Sequence, residues 1–128
     1  MTCLPLARAS ILLKHPAYLQ LAIAQFLLHA QYLCDTRTGL WFHGWQFDRT
    51  HGCNGHNFAG ARWARGNCWI TLALPMLLEL MDDAGLREDG ARTYLVQAWR
   101  RQVSSTSHHV SRAFNLPRIL MLICVSYS

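Results

Sequence analysis

The sequence is short of acid: seven Asp and Glu stand against twelve Lys and Arg in 128 residues. It has no CxxC pair, and no apolar run reaches bilayer-spanning length, the longest lying near Ile119–Val125. Each shortage excludes something. An odd count of five cysteines without paired spacing argues against a disulfide framework and fits a reducing, cytoplasmic compartment. A short apolar run does not span a membrane. The opening MTCLPLARASILLKHP lacks a cationic stretch ahead of its apolar residues and carries an arginine among them, so it is a poor export signal. The basic residues are interleaved with acids rather than gathered in a stripe. The net charge of +5 therefore reads as a generally basic surface and not as a nucleic-acid footprint.

What is present is apolar and aromatic. Apolar residues make up 52% and charged residues 15%, which suits one small domain with a genuine core and excludes a disordered tail. Helical spacing of Leu4, Ala7, Ile11 and Leu12 predicts a helix over 3–13, ended at His15-Pro16. A second helix is expected over 16–33, apolar but for a stripe of Gln20, Gln25 and His29. Asp35 to Gly39 reads as a turn. A third helix over 67–81, with Asn67 as its N-cap and a bend at Pro75, precedes a fourth over 88–103. On the fourth, Tyr94, Leu95, Ala98 and Trp99 should face inward and Arg92, Arg100 and Arg101 outward. No segment reads as a strand. The fold class is all-α, built of helical hairpins. The serine-rich and then apolar residues 104–128 lose the helical pattern, so the expected division is a helical unit over 1–103 and a divergent tail over 104–128, whose composition reads as non-native sequence.

Between the second and third helices, residues 40–65 have no helical period, hold four glycines, and are dense in aromatics. A loop of that length in a small helical chain is expected to be functional. Tryptophan faces stack on the apolar C–H faces of sugar rings. The Arg65 fork suits a carboxylate. His43, between Phe42 and Gly44, can donate or accept in the same pocket, and Asn67 adds an amide. Together these describe a site for an acidic sugar. Each residue also has a plainer reading: tryptophans are most often core, Arg65 could cap a helix or pair with Asp48, and His43 could be a satisfied buried histidine. His51, Cys53 and His56 are spaced H-x-C-x-x-H, which matches no common zinc pattern, and no metal site is expected. Nothing marks Cys53 or Cys68 as an activated nucleophile. Direct glycosidic displacement takes two carboxylates, yet only Asp35 and Asp48 lie near this loop.

TGLWFHGW followed by RWARGNCW resembles glycoside hydrolase family 105, the unsaturated rhamnogalacturonyl hydrolases, related to the unsaturated glucuronyl hydrolases of family 88. The similarity runs from Met1 to about Gln102. It implies part of an (α/α)6 barrel, and a hydrolase that removes a 4,5-unsaturated uronic acid from pectin-derived oligosaccharides without metal or organic cofactor. In such enzymes an aspartic acid protonates the C4=C5 double bond, water adds, and the resulting hemiketal opens with loss of the sugar. Hydration of this kind needs fewer carboxylates than displacement, which accounts for the shortage. The resemblance implies a catalytic-pocket role for His43 and sugar-binding roles for Trp45, Trp63, Arg65 and Trp69.

Three departures stand out. Cys68 occupies a place where the family often has glycine, and Gln46 one where an acid is common. The family's general-acid Asp belongs to a segment whose last residue aligns with Met1, so this chain is expected to be a fragment lacking that acid. Its partner would be an unsaturated uronate-containing oligosaccharide, with no nucleic acid or membrane. Apolar helix faces left open would favour self-association. The alternative is a non-catalytic helical sugar-binding or interaction module.

Overall fold

A computed structural model describes residues 3–48, 55–57 and 60–114, with side chains through Thr106. Four helices carry the fold: α1 (Cys3–Leu12), α2 (Ala17–Leu33), α3 (Ala64–Asp83) and α4 (Gly90–Phe114). They form two hairpins, α1–α2 and α3–α4, with α1 also packing on α3 and α2 on α4. Ala7 and Ala22 are fully buried, which lets the first hairpin's helices approach closely. Leu74, Leu77 and Met81 of α3 and Leu95 of α4 complete the core.

The helix ends follow local chemistry. α1 closes in a Schellman arrangement: the Lys14 amide donates to the Ile11 carbonyl at 3.2 Å and the His15 amide to Ser10 at 2.9 Å, with Lys14 at φ +52°. α3 ends the same way, with Gly85 at φ +77° and the Leu86 amide donating to Met81 at 2.8 Å. At the start of α4, Asp89 Oδ1 accepts the Ala91 amide at 2.7 Å, a helix-capping bond. Pro75 lies inside α3 and has no N–H for the Thr71 carbonyl one turn earlier. That carbonyl instead accepts the Trp99 indole N–H from α4 at 3.2 Å, so the helix runs on through the proline and the second hairpin gains a cross-link.

Four expectations change. Asn67 is not an N-cap: α3 begins three residues earlier, at Ala64, with Trp63 in the cap position and extended. Tyr94 does not face inward but is 41% exposed, while Leu95 and Ala98 are buried. α4 continues past Val103 to Phe114. On its added turns Thr106 Oγ1 donates to the Gln102 carbonyl at 2.9 Å, and the Ser105 hydroxyl ties the helix to the turn before the aromatic loop by donating to the Thr38 carbonyl. Residues 115–128 of the tail lie outside the described residues.

The fourth change is a strand pair within the aromatic loop. β1 (Trp45–Phe47) and β2 (Gly55–Asn57) are antiparallel, with Gln46 opposite His56. Three residues are too few for a period of two to show in sequence. Alternation places Trp45 and Phe47 on one face of β1. Both rings meet Tyr32 of α2, at centroid distances of 5.5 and 4.9 Å, and so dock the ribbon on the helix.

Candidate sugar-binding site

Two loops must be fixed before the site exists. The first is the turn after α2. Asp35 is buried, its side chain 5% exposed, and it accepts the Arg37 amide at 3.0 Å and the Arg62 guanidinium at 2.5 Å. Burial alone would raise its pKa. The hydrogen bonds from Arg37, Arg62 and Thr38 outweigh that and hold it below the usual carboxylate range. A carboxyl with a folded pKa below its unfolded value, about 3.9, stabilises the fold above that pH and loses the contribution as pH falls through the lower folded value. Melting temperature should therefore drop as the pH goes below about 4, and Asp35→Asn should flatten that drop relative to the unmodified chain. Parallel profiles for the two proteins would refute this role for Asp35.

The second loop is tied by Asn67. Its Oδ1 accepts the Trp41 amide at 2.8 Å and its Nδ2 donates to the Trp41 carbonyl at 2.9 Å. One amide side chain thus satisfies both backbone polar groups of a buried residue, as a neighbouring strand would. Nδ2 also reaches the Trp63 carbonyl at 3.1 Å. Gln102 of α4 supports the clasp, its Nε2 donating to the Asn67 carbonyl at 2.7 Å. The two sequence motifs, far apart in the chain, are joined here.

With the motifs joined, His43 meets Trp63 edge-on at a ring distance of 5.4 Å, and its amide donates to the Ala61 carbonyl at 3.3 Å. The Arg65 guanidinium lies over the Trp63 ring, 5.3 Å from its centroid. No carboxylate among the described residues forms an ion pair with Arg65; in this region Asp35 pairs with Arg37 and with Arg62, which also covers Phe42. His43 and Arg65 are exposed, Trp45 is half-buried, and Trp63 and Trp69 are 43% and 46% exposed.

Three concavities adjoin along this face. One of about 140 Å³ lies between Trp41, His43, Trp63 and Ile70. One of about 330 Å³ is bounded by His29, Tyr32, His43 and Trp45. One of about 150 Å³ is bounded by Cys3, Phe26, His29 and Trp69. His43 and Leu33 are shared by the first and second, His29 by the second and third, and Ile70 by the first and third. Four of the five expected site residues thus share one surface. Arg65 stands at its edge on the Trp63 ring. Among the described residues no Asp or Glu lines any of the three. Cys68 is exposed, so the side chain that replaces glycine there meets solvent rather than the clasp. Of the H-x-C-x-x-H residues, His56 lies on β2, while His51 and Cys53 fall outside the described residues.

Sequence reasoning missed His29, Tyr32 and Gln102. His29 left a signal, an imidazole in an otherwise apolar part of α2. Gln102 left none, because its value depends on a partner 35 residues away.

The helical fold agrees with comparison to known proteins. The Glycosyl Hydrolase Family 88 sequence model matches residues 1–109. No curated protein matches the chain at a significant level. A crystal structure described as a possible member of the GH105 family from Salmonella enterica serovar Paratyphi A shares 49% identity and superposes with a TM-score of 0.74, over 84% of this chain and 27% of that one. A second so described, from Klebsiella pneumoniae, shares 47% identity with a TM-score of 0.70, over 80% of this chain and 25% of that one. The chain therefore spans about a quarter of the length of these structures, and its hairpins are part of an (α/α)6 barrel. On the family match and these two likenesses, the chain belongs to glycosyl hydrolase family 88.

Proposed function

We propose that this chain carries the sugar-facing wall of an unsaturated uronyl hydrolase, the type that hydrates the C4=C5 double bond of a terminal unsaturated uronic acid in pectin-derived oligosaccharides. The observation that carries the reading is the convergence of His43, Trp45, Trp63 and Trp69 on one concave surface, with the Arg65 guanidinium at its rim. Tryptophan faces take the sugar ring, and Arg65 takes the carboxylate in a charge-assisted pair. Protonation of the double bond needs a carboxylic acid; among the described residues no Asp or Glu lines these three concavities, and Asp48 lines a further one of about 730 Å³ that adjoins them at Phe47. We therefore read these three concavities as a binding wall. The odd cysteine count without CxxC spacing supports a reducing, cytoplasmic setting. Among the described residues no helix is long and apolar enough to cross a membrane. Exposed Leu12, Leu13 and Leu21 on the first hairpin support self-association.

The test is incubation with an unsaturated rhamnogalacturonan disaccharide, following ultraviolet absorbance of the double bond alongside calorimetric binding. Binding without loss of absorbance is the expected result, with Arg65→Ala weakening it roughly 10- to 100-fold. Loss of absorbance abolished by Arg65→Ala would instead make the chain a complete enzyme. Asp48 would then be the acid to replace, because Asp35 is held ionised by its guanidinium partners. A folded chain that neither binds nor turns over the sugar would remove the proposal.

A further inference from the structure

We propose that His29 of α2 contacts the bound sugar and accepts a hydrogen bond from one of its hydroxyls, a role that neither sequence motif contains; the inference rests on the site reading above. Three observations carry it. His29 borders both the concavity that holds Trp69 and the one that holds Trp45 and His43, so a ligand stacked on either tryptophan passes it. Its Nδ1 lies 2.6 Å from the Gln25 carbonyl one turn earlier. A carbonyl oxygen only accepts, so Nδ1 carries the proton. In the neutral ring this leaves Nε2 as the acceptor, and the backbone bond fixes the ring that presents it. Finally, the His29 side chain is exposed while Phe26 and Ala30 on the same helix are buried, so the ring stands at the surface rather than in the core.

The chemistry this supplies is acceptance of a sugar hydroxyl proton. Arg65 and the indole N–H groups of the wall donate only. A sugar presents hydroxyls that donate as well as accept; the His43 imidazole and the Tyr32 hydroxyl can take some of those O–H groups, and Arg65 and the indoles cannot. Nε2 of His29 adds an acceptor between the concavities that hold Trp69 and Trp45, and unlike a carboxylate it does so without repelling the uronate.

Two substitutions separate this role from a purely steric one. His29→Phe keeps a planar ring of similar size and removes the acceptor. His29→Gln keeps an acceptor at about the distance of Nε2. Calorimetry of the full chain with the unsaturated rhamnogalacturonan disaccharide should show a loss of roughly five- to tenfold for His29→Phe. It should show under about threefold for His29→Gln, and thermal melting should be unchanged for both, since the residue is exposed. Affinity of His29→Phe equal to the unmodified chain, or equal losses in the two variants, would overturn the assignment. Retained sensitivity to Arg65→Ala alongside an insensitive His29 would remove this inference and leave the site reading standing. If the unmodified chain does not bind the disaccharide, both are lost together.

Discussion

Asn67→Ala is expected to destabilise the chain by roughly 2–4 kcal/mol, the largest effect of a side-chain truncation outside the apolar core. The substitution strips partners from the Trp41 amide and carbonyl at once, and both belong to a residue only 3% exposed. A buried backbone group left without a partner costs about 1–3 kcal/mol. Two are orphaned here, with partial relief if the loop relaxes toward water. Asn67→Asp is the sharper control. It keeps an acceptor for the Trp41 amide, but it loses the donor to the Trp41 and Trp63 carbonyls and sets a carboxylate oxygen against them. It should be at least as damaging near neutral pH as alanine. Urea denaturation of the three proteins measures this directly. A shift for Asn67→Ala within the error of about 0.5 kcal/mol typical of surface changes would mean that water replaces the clasp at no cost. Because the clasp joins the HGW and WARGN segments, sugar affinity should fall with stability.

The second large effect is at Gly39. It has φ +72°, and a Cβ built there would lie 2.8 Å from both the carbonyl carbon and the oxygen of Arg101 on α4. Backbone atoms in the middle of a helix do not move aside as a side-chain tip does. Gly39→Ala should therefore carry two penalties, left-handed strain and displacement of the turn from α4, together roughly 2–4 kcal/mol. Gly85 is the internal comparison. Its φ is +77°, nearly the same, yet nothing lies within 4 Å of its Cβ position. Gly85→Ala should show the strain alone, about 1 kcal/mol. The difference between the two melts isolates the close approach of turn and helix. Equal losses would show that the turn can lift off α4 freely. Lifting it would also break the Asp35 and Ser105 contacts that hold the segment leading into the site.

Neither Gly39 nor Asn67 lines the concavities, yet both substitutions are expected to disturb the proposed site. The aromatic wall is built on a loop, and its precision is borrowed from α3 and α4 through Asn67, Gln102 and the Asp35 turn. That arrangement explains why so much polar chemistry is buried in a chain with so few charges. Asp35, Asn67 and Gln102 are each nearly inaccessible; Asp35 and Asn67 are paired, and Gln102 is paired through its Nε2.

The sequence by itself determined the helices and the residues of the wall. Alternation at 3.6 residues is local, so α1 and α2 are legible almost to the residue, and the glycines and aromatics between α2 and α3 mark a loop with a task. The motif residues His43, Trp45, Trp63, Arg65 and Trp69 are legible because their kinds and spacing are unusual together. Tertiary structure alone decided what depends on partners distant in the chain. Asn67 reads as a cap because asparagine ahead of an apolar run usually is one, but a buried Trp41 backbone competes for its amide and wins. Strands of three residues are too short to announce themselves, and β1 and β2 exist because Tyr32 gives Trp45 and Phe47 a surface to pack on. His29 looks like one member of a polar stripe until folding sets it between two concavities. Periodicity and composition record what a residue does to its near neighbours; pairing, burial and shared cavities are relations between segments, and only the packed chain contains them.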